Sequence, residues 1–553
     1  MACYTSPMIN TTEIASLITG DVDTSSETLT KASHDASIFE IVPEAVIYPK
    51  NAADIGKLVT YATEHPGVSL TARSAGTCMS GGPLTSSLVV DFTKYFNQIG
   101  EVGEGYAVTQ PGVYYRDFDK ATMEKGGQIM PSYTASRELC TVGGMVANNA
   151  GGEKTLTYGK TERYVRRLKV VLADGNECEI KPLSMSELEE KKKLSTFEGE
   201  VYRGIYDLIS THYDVIMKAK PIVTKNSCGY SLWNVWNKEK DMFDLTQLIV
   251  GSQGTLGLVT EIEFALVKPK IHSHLLVVFL TDLKQLGETA SRILKFNPES
   301  FESYDDQTLK VAFKFLPQLM KQMGGNLITL GLQFIPEMMA VLEGGIPKLV
   351  LMAEFTADTD EEALRMANEA RESLKDLHEK SRVTKTEQDE HKYWTIRRES
   401  FNMLRKHVHG LRTAPFIDDF VVPPQTLQEF LPRLYAILGE YKNDLVYTVA
   451  GHVGDGNLHI IPLMDFHQDK VQAIIKDLSV KVYTLVHEFN GSITGEHNDG
   501  IIRTPFVKMQ YGEEVYGLLE QTKKIMDPKG IFNPGKKVGG TLEYAFKNIV
   551  KES

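Results

Sequence analysis

Glycine clusters set between short apolar runs constrain the fold of this chain more than any other feature. The clusters lie at residues 76–82, 143–144 and 151–152, and the apolar runs include Leu88–Val90 and Val170–Leu172. Glycine accepts tight turns and lets the backbone approach other groups closely, whereas short runs rich in valine and leucine are typical of buried strands. The pattern therefore predicts mixed α and β structure with many tight turns.

The periodicity of apolar residues predicts further elements along the chain. Helical spacing favours a helix over 52–64 that ends at Pro66-Gly67, and a charged stretch over 187–193 indicates an exposed helix. A strand-helix, strand-helix layer begins near residue 274. The predicted elements from there are strands at 274–280 and 349–355 and helices at 284–296, 360–380 and 469–489, preceded by an alternating strand at 258–267.

Length and composition exclude several classes of protein. A chain of 553 residues is too long for one hydrophobic core, and 42% hydrophobic residues suffice for several. The net charge of -12 and the lack of a basic run disfavour a nucleic-acid partner. Five cysteines (Cys3, Cys78, Cys140, Cys178 and Cys228) form no CxxC pair, which disfavours an iron–sulfur cluster, a structural zinc site and a disulfide framework.

The loop Arg73–Gly82 follows an apolar run, and its glycines allow successive backbone N–H groups to converge on an anion such as a pyrophosphate. Its spacing fits neither GxGxxG nor GxxxxGK[ST], which disfavours a Rossmann site and a P-loop. Taken alone, such a loop is more often only a tight turn. The second cluster, TVGGMVANNAGG at 141–152, is rich in small residues, which allow close approach to a flat ligand.

Together with 43–50, 170–175 and GSQGTLGLVTEIEF at 251–264, these loops resemble the FAD domain of the vanillyl-alcohol-oxidase-type flavoproteins. The resemblance implies FAD. Ala75 stands where many relatives carry the histidine that bonds covalently to the flavin, so we expect noncovalent FAD; Gln253 replaces the family's usual glutamate. The cofactor-binding residues implied are Arg73, Ser74, Ala75, Gly76, Thr77, Cys78, Ser80, Gly81, Pro131, Gly143, Gly144, Asn148, Ala150, Gly151, Tyr158, Gly254, Thr255, Gly257, Ile262 and Asn533.

Two glycine-framed motifs in the second half of the chain offer metal ligands. His452 and His459 flank a Gly-Asp-Gly turn that predicts a strand-turn-strand, and Glu496 and His497 follow further along. Two imidazoles and a carboxylate suit zinc, manganese or iron. Any one of these histidines alone is more often a surface or core residue, and only the pairing of the two motifs favours a site.

Both motifs resemble the GDGNLH and EHG signatures of a flavoprotein group that includes D-lactate dehydrogenases, the glycolate-oxidase large subunit and D-2-hydroxyglutarate dehydrogenase. The resemblance implies His452, His459 and Glu496 as metal ligands and His497 as the catalytic base. Asn498 replaces a glycine, and asparagine tolerates the left-handed conformation better than most residues.

Trp394 to Arg397 resembles the family's W-x-x-R motif, in which the arginine pairs with the substrate carboxylate. The planar guanidinium of Arg397 suits that role. The alternative is an exposed helix arginine beside Arg398 and Glu399.

We therefore expect an α+β fold in which an FAD domain of two α/β subdomains is joined to an α+β cap domain. The expected boundaries are a helical segment at 1–40, the FAD-binding domain at 41–270, the substrate domain with the metal site at 271–500, and a C-terminal segment at 501–553 that returns to the flavin domain.

The expected function is FAD-dependent oxidation of a small D-2-hydroxy acid, with D-lactate as the first candidate and glycolate or D-2-hydroxyglutarate as others. A quinone, a cytochrome or an electron-transfer flavoprotein would take the electrons. A metal-dependent hydrolase and a flavin-fold protein of binding or assembly role are the alternatives. No signal peptide or spanning segment is evident, so a cytoplasmic protein, or one peripheral to a membrane, is expected; a homodimer is left open.

Overall fold

The computed structural model describes residues 9–315, 345–407 and 410–551. Cys3 lies outside these ranges, and the other four cysteines are free thiols. No helix among the described residues is long and apolar enough to cross a membrane.

The first sheet has four strands, in the order Asp21–Asp23, Ala45–Tyr48, Leu88–Asp91 and Leu70–Arg73. The last three run parallel. The helix Ala52–Glu64 connects two of them and begins at Asn51, whose side chain accepts from the backbone N–H of Asp54. This helix has the predicted bounds, and the sheet places the loop after Arg73 at its edge.

The second sheet is antiparallel, with the strand order Ile99–Gly103, Tyr106–Thr109, Leu258–Ala265, Val165–Val171 and Glu177–Ile180. Its central strand, Leu258–Ala265, alternates buried and partly exposed residues along its whole length. This alternation is the pattern of a strand with one face in the core, and it confirms the strand predicted from the sequence.

A seven-stranded antiparallel sheet forms the centre of the second half of the chain. Its strand order is Lys380–Val383, His272–Leu280, Leu349–Ala357, Ser300–Asp305, Val449–His452, Asn457–Ile460 and Phe420–Val421. Two further sheets are small: Trp236–Asn237, Met242–Phe243 and Leu183–Ser184 form one, and Arg412–Thr413 with Leu463–Met464 forms the other.

Helices of the second half of the chain lie where the sequence predicts them, with different ends. Leu286–Leu294 and Val471–Glu488 lie within the predicted ranges. The helix predicted over 360–380 ends at Glu372, so the prediction of helix is wrong for residues 373–380. A short 3-10 turn follows, and His378 takes a left-handed φ of 58° that turns the chain into the strand Lys380–Val383. Charged residues continue through this solvent-facing turn, so composition did not reveal the end of the helix.

The described residues contain these further α-helices: Thr11–Leu17, Ser26–Ala32, Tyr115–Gly126, Val142–Asn148, Thr155–Tyr158, Met185–Lys192, Phe197–Thr211, Tyr213–Lys218, Thr246–Ile249, Asp306–Lys314, Glu387–His407, Leu427–Gly439, Gly500–Arg503, Val507–Met526 and Leu542–Lys547.

The last part of the described chain returns to the first sheet. The Leu70 backbone exchanges hydrogen bonds with Ile531 and Asn533, at 2.8 and 2.9 Å. The Asn533 amide also donates to the carbonyls of Gly82 and Gln253, at 2.9 and 2.7 Å. The C-terminal stretch therefore holds two of the glycine loops together.

Candidate active site

A β-hairpin of the large sheet carries the two central histidines. His452 ends the strand Val449–His452, and His459 lies in the strand Asn457–Ile460. The turn between them contains Gly456 at a φ of 67°, and a Cβ there would lie 1.8 Å from the Val422 carbonyl oxygen. Only glycine fits this position, so the Gly-Asp-Gly sequence directly determines the hairpin that was predicted.

The hairpin and the Gly495–Asp499 loop bring His452, His459 and Glu496 together. One ligand atom from each of the three lies within 4.8 Å of the others. His452 Nε2 is 3.5 Å from Glu496 Oε1, and both residues are buried. His459 is partly exposed. Two imidazoles and one carboxylate are a donor set that fits a divalent ion with a position left for substrate.

His497 lies beside this ligand set, and its ring stacks on His459 with centroids 5.1 Å apart. Its Nδ1 is 2.6 Å from Asp418 Oδ2, and its backbone N–H donates to Asp419 Oδ2 at 2.7 Å. Burial alone would lower the pKa of His497, but Asp418 and Asp419 raise it to about 9. Asp418 and Asp419 therefore stabilise the imidazolium form, which is the form that proton transfer to this residue would produce.

Asp419 shapes the loop that presents these groups. It has a φ of 72°, and its carboxylate accepts from the backbone N–H groups of Glu496 and His497, with a further bond from the Thr494 hydroxyl at 2.7 Å. Asn498 follows with a φ of 68°, which is the left-handed conformation that the sequence left open. Its amide donates to Gly251 O at 2.9 Å, so the loop also contacts the flavin-domain half.

A second buried carboxylate, Glu302, connects His452 with the predicted substrate anchor. Glu302 Oε1 lies 2.6 Å from His452 Nδ1, and Oε2 accepts from Arg397 Nε at 2.7 Å. Burial alone would raise the pKa of Glu302, but His452 and Arg397 lower it to about 2. The Arg397 side chain is only 15% exposed, so the alternative of an exposed surface arginine is wrong.

Lys225 is a fully buried cation inside the same cluster. Its ammonium lies 2.5 Å from Glu496 Oε1 and 3.2 Å from Asp455 Oδ2. Burial alone would lower the pKa of Lys225, but the two carboxylates raise it. The ammonium offsets part of the negative charge that the cluster concentrates.

Sequence reasoning missed Lys225, Glu302, Asp418 and Asp419. All four stand in segments without a metal-ligand or glycine signature, and their importance arises from long-range packing. The adjacent acidic pair at 418 and 419, inside an apolar run, is the one available signal, since paired carboxylates are rarely buried without partners.

The first glycine loop and the helix Val142–Asn148 lie next to each other, and the partly exposed small residues of both form a surface that we call the small-residue cleft. Residues 74–79 are all partly exposed, and so are four small or polar residues of the next helix, Gly143, Gly144, Ala147 and Asn148. The two segments are joined by the Thr141 hydroxyl, which donates to Ser74 Oγ at 2.6 Å. A cleft walled by glycine, alanine and loop backbone fits a flat cofactor such as FAD.

The cleft meets the histidine cluster at Gly151, where an added Cβ would lie 3.3 Å from Glu496 Oε1. Gln253 connects the helix Val142–Asn148 with the segment that begins at Gly500. Its Nε2 donates to Asn148 Oδ1 at 3.1 Å, and its Oε1 accepts from Gly500 N at 2.8 Å. A neutral amide can both donate and accept here, which a glutamate could not do.

Of the predicted cofactor residues, Ser74, Ala75, Gly76, Thr77, Cys78, Gly143, Gly144 and Asn148 lie along this cleft, whereas two side chains face elsewhere. The Arg73 guanidinium donates to the backbone carbonyls of residues 31, 32 and 34. Ile262 is fully buried in the antiparallel sheet between Thr109 and Leu168. The Thr255 hydroxyl is hydrogen-bonded to the Tyr230 hydroxyl, and the Tyr158 hydroxyl donates to Glu299 Oε2.

Family models match both halves of the chain. Residues 43–181 match an FAD binding domain, and residues 270–537 match the FAD linked oxidases, C-terminal domain. The solved 4-ethylphenol oxidase from Gulosibacter chungangensis superposes with a TM-score of 0.67 at 15% identity, covering 96% of this chain and 97% of that one. The fold is thus that of the vanillyl-alcohol-oxidase type.

Curated relatives at 26–27% identity span almost the whole chain. D-2-hydroxyglutarate dehydrogenase of Escherichia coli is 27% identical over 530 residues, which is 94% of this chain and 50% of that protein. Glycolate oxidase subunit GlcD of Bacillus subtilis is 27% identical, with 91% of each chain covered. D-lactate dehydrogenase of Archaeoglobus fulgidus is 26% identical, covering 89% and 91%. The chain therefore spans about half the length of some relatives and nearly all of others.

Proposed function

Because the two halves of the chain match an FAD binding domain and the FAD linked oxidases, C-terminal domain, we propose that it oxidises a small D-2-hydroxy acid to the 2-oxo acid. D-lactate is our first candidate, and glycolate and D-2-hydroxyglutarate are the others, in keeping with the names of the relatives. The observation that carries the proposal is the convergence of a carboxylate anchor, a base and a metal-ligand set at one end of the small-residue cleft.

Each side chain has a role in this proposal. Arg397 would hold the substrate carboxylate, because its guanidinium can bind Glu302 through Nε and still offer its terminal NH₂ groups. His497 would accept the hydroxyl proton, and Asp418, at 2.6 Å, would stabilise the imidazolium that forms.

His452, His459 and Glu496 would hold a divalent ion of zinc, manganese or iron, and the residues lining the cleft would hold FAD without a covalent bond. When bound, the metal supplies a Lewis acid for the substrate oxygens, and FAD supplies the acceptor for the hydride from C2. Glu302, Asp418 and Lys225 are fully buried, and their burial would limit the access of water to the reacting atoms. A separate quinone, cytochrome or electron-transfer flavoprotein would reoxidise the enzyme. The alternative, a metal-dependent hydrolase, would leave the FAD-binding half of the chain without a role.

An anaerobic bleaching screen tests the proposal. The purified protein is mixed without oxygen with both enantiomers of lactate, malate and 2-hydroxyglutarate, and with glycolate, while flavin absorbance is recorded. We expect bleaching by a D-2-hydroxy acid and none by its L-enantiomer. A yellow protein that no 2-hydroxy acid bleaches would favour a binding role, and a colourless protein would favour the hydrolase.

A further inference from the structure

Two buried carboxylates occupy equivalent places in the site. Glu302 contacts His452 Nδ1 at 2.6 Å and Arg397 Nε at 2.7 Å. Asp418 contacts His459 Nδ1 at 3.2 Å and His497 Nδ1 at 2.6 Å. Each carboxylate therefore joins one imidazole of the metal-ligand set to one side chain on the substrate side.

The contacts define which nitrogen of each imidazole is available to a metal. A carboxylate accepts the hydrogen bond of an imidazole N–H, and Glu302 Oε1 and Asp418 Oδ1 each face an Nδ1 atom, at 2.6 and 3.2 Å. The proton of His452 and of His459 is thus held on Nδ1. Nε2 is left for the metal, and an acidic partner on the other nitrogen makes the ligand more basic.

From this arrangement we propose that Glu302 and Asp418 are two separate positioning residues that divide the site into a binding arm and a proton-transfer arm. The Glu302 arm orients His452 together with the substrate anchor, and the Asp418 arm orients His459 together with the base. The roles of Arg397 and His497 and the metal-ligand assignment rest on the proposed function, whereas the contact of each carboxylate with an imidazole does not.

Substitution by the matching amide separates the two partners of each carboxylate. Glutamine or asparagine has one accepting oxygen instead of two, so Glu302→Gln and Asp418→Asn must each lose at least one of two contacts. Glu354→Gln is a matched control, because Glu354 lies on the neighbouring strand of the same sheet and its carboxylate accepts from Ser300 Oγ rather than from an imidazole.

The first measurement is the affinity of each FAD-loaded, metal-stripped variant for Mn²⁺ and Zn²⁺, by calorimetric titration without substrate. We expect Glu302→Gln and Asp418→Asn each to weaken metal binding by roughly 10- to 100-fold, as is typical when a partner behind a ligand is lost. Glu354→Gln should bind metal as the unaltered protein does. Unchanged affinity in both test variants would overturn the proposal.

The second measurement is anaerobic flavin reduction at saturating metal, with the accepted 2-hydroxy acid varied. Glu302→Gln should raise the half-saturating substrate concentration at least about tenfold with a nearly constant limiting rate. Asp418→Asn should lower the limiting rate by roughly 10²-fold or more with a nearly constant half-saturating concentration. A general loss of structure would change both quantities in both variants, and that result would contradict the division into two arms.

Glu302→Asp and Asp418→Glu extend the test to the case in which an amide variant does not fold. Both keep two accepting oxygens and the charge, so we expect metal affinity between that of the amide variant and that of the unaltered protein. If the unaltered protein binds metal but no 2-hydroxy acid reduces its flavin, the proposed function fails. The metal titrations would still decide whether the two carboxylates position the ligands.

Discussion

Arg397 shows how a single side chain can serve two anions. Its Nε donates to Glu302, and the terminal NH₂ groups of the planar guanidinium can bind a second carboxylate in the same plane. A lysine ammonium cannot reproduce this geometry. We predict that Arg397→Lys weakens substrate binding by about 1.5–3 kcal/mol, or roughly ten- to a hundredfold, and leaves FAD content unchanged. Substrate titration of flavin reduction measures this change. An unaltered half-saturating concentration would remove Arg397 from the site.

The Glu354 carboxyl makes the stability of the folded protein depend on pH. Burial raises the pKa of this carboxyl to about 7, although Lys154 opposes the shift. Since the folded state binds the proton more tightly than the unfolded chain, this group's contribution to stability falls as pH rises from about 4.5 to about 7. Glu354→Gln cannot titrate. After allowance for its partial exposure, the variant should be more stable than the unaltered protein by about 1–2 kcal/mol at pH 8 and should differ little at pH 4.5.

Thermal unfolding of both proteins at several pH values decides the Glu354 prediction. The difference between their apparent midpoints should grow between pH 4.5 and pH 7 and then become constant. A difference that does not change with pH would show that the carboxyl titrates near its ordinary pKa in the folded protein.

At the scale of the element, the sequence predicts a structure where local steric constraints determine it. The hairpin from Val449 to Ile460 was predictable because Gly456 needs a positive φ and because nothing larger fits beside Val422. The end of the helix Asp360–Glu372 was not predictable, since the turn after it is as charged as the helix itself. The contact of Glu302 with His452 crosses 150 residues, and no local pattern in either strand reveals it.

Gly456→Ala tests whether the hairpin turn holds the ligand set. The added methyl group would meet the Val422 carbonyl oxygen at 1.8 Å, and the left-handed backbone alone costs on the order of 1–3 kcal/mol. We predict a lower unfolding midpoint and weaker metal binding, with FAD retained. Gly439→Ala is the matched control, because a Cβ at that helix position meets nothing within 4 Å. Equal metal affinity in the two variants would show that the turn does not shape the site.

At the scale of the whole molecule, the two halves supply different groups to one site. The glycine loops of the first half form the cleft, and the large sheet and the 495–499 loop of the second half carry the histidines. The fold and the histidine motifs could be predicted from the sequence through its resemblance to a known family. The buried partners that orient those histidines could not be inferred, because they depend on which strands pack together.

This division predicts that the metal and FAD bind independently. His452→Ala should abolish stoichiometric metal binding, since one of three protein ligands is lost, yet it should retain FAD at the level of the unaltered protein. Acid precipitation should release that FAD into the supernatant, because Ala75 cannot form a covalent bond to the flavin. Metal analysis and the flavin spectrum of the two fractions measure both results. Colour that remains in the pellet would contradict noncovalent binding.

The isotope effect on flavin reduction shows whether this site removes a hydride from C2 of a D-2-hydroxy acid. The metal-loaded protein is mixed anaerobically, in a stopped-flow instrument, with D-lactate or another bleaching acid carrying either hydrogen or deuterium at C2. We predict that the flavin bleaches in a single turnover and that deuterium slows the limiting rate severalfold. Bleaching at the same rate with both isotopes would show that breaking the C2–H bond does not limit flavin reduction, and a flavin that stays oxidised would contradict the account itself.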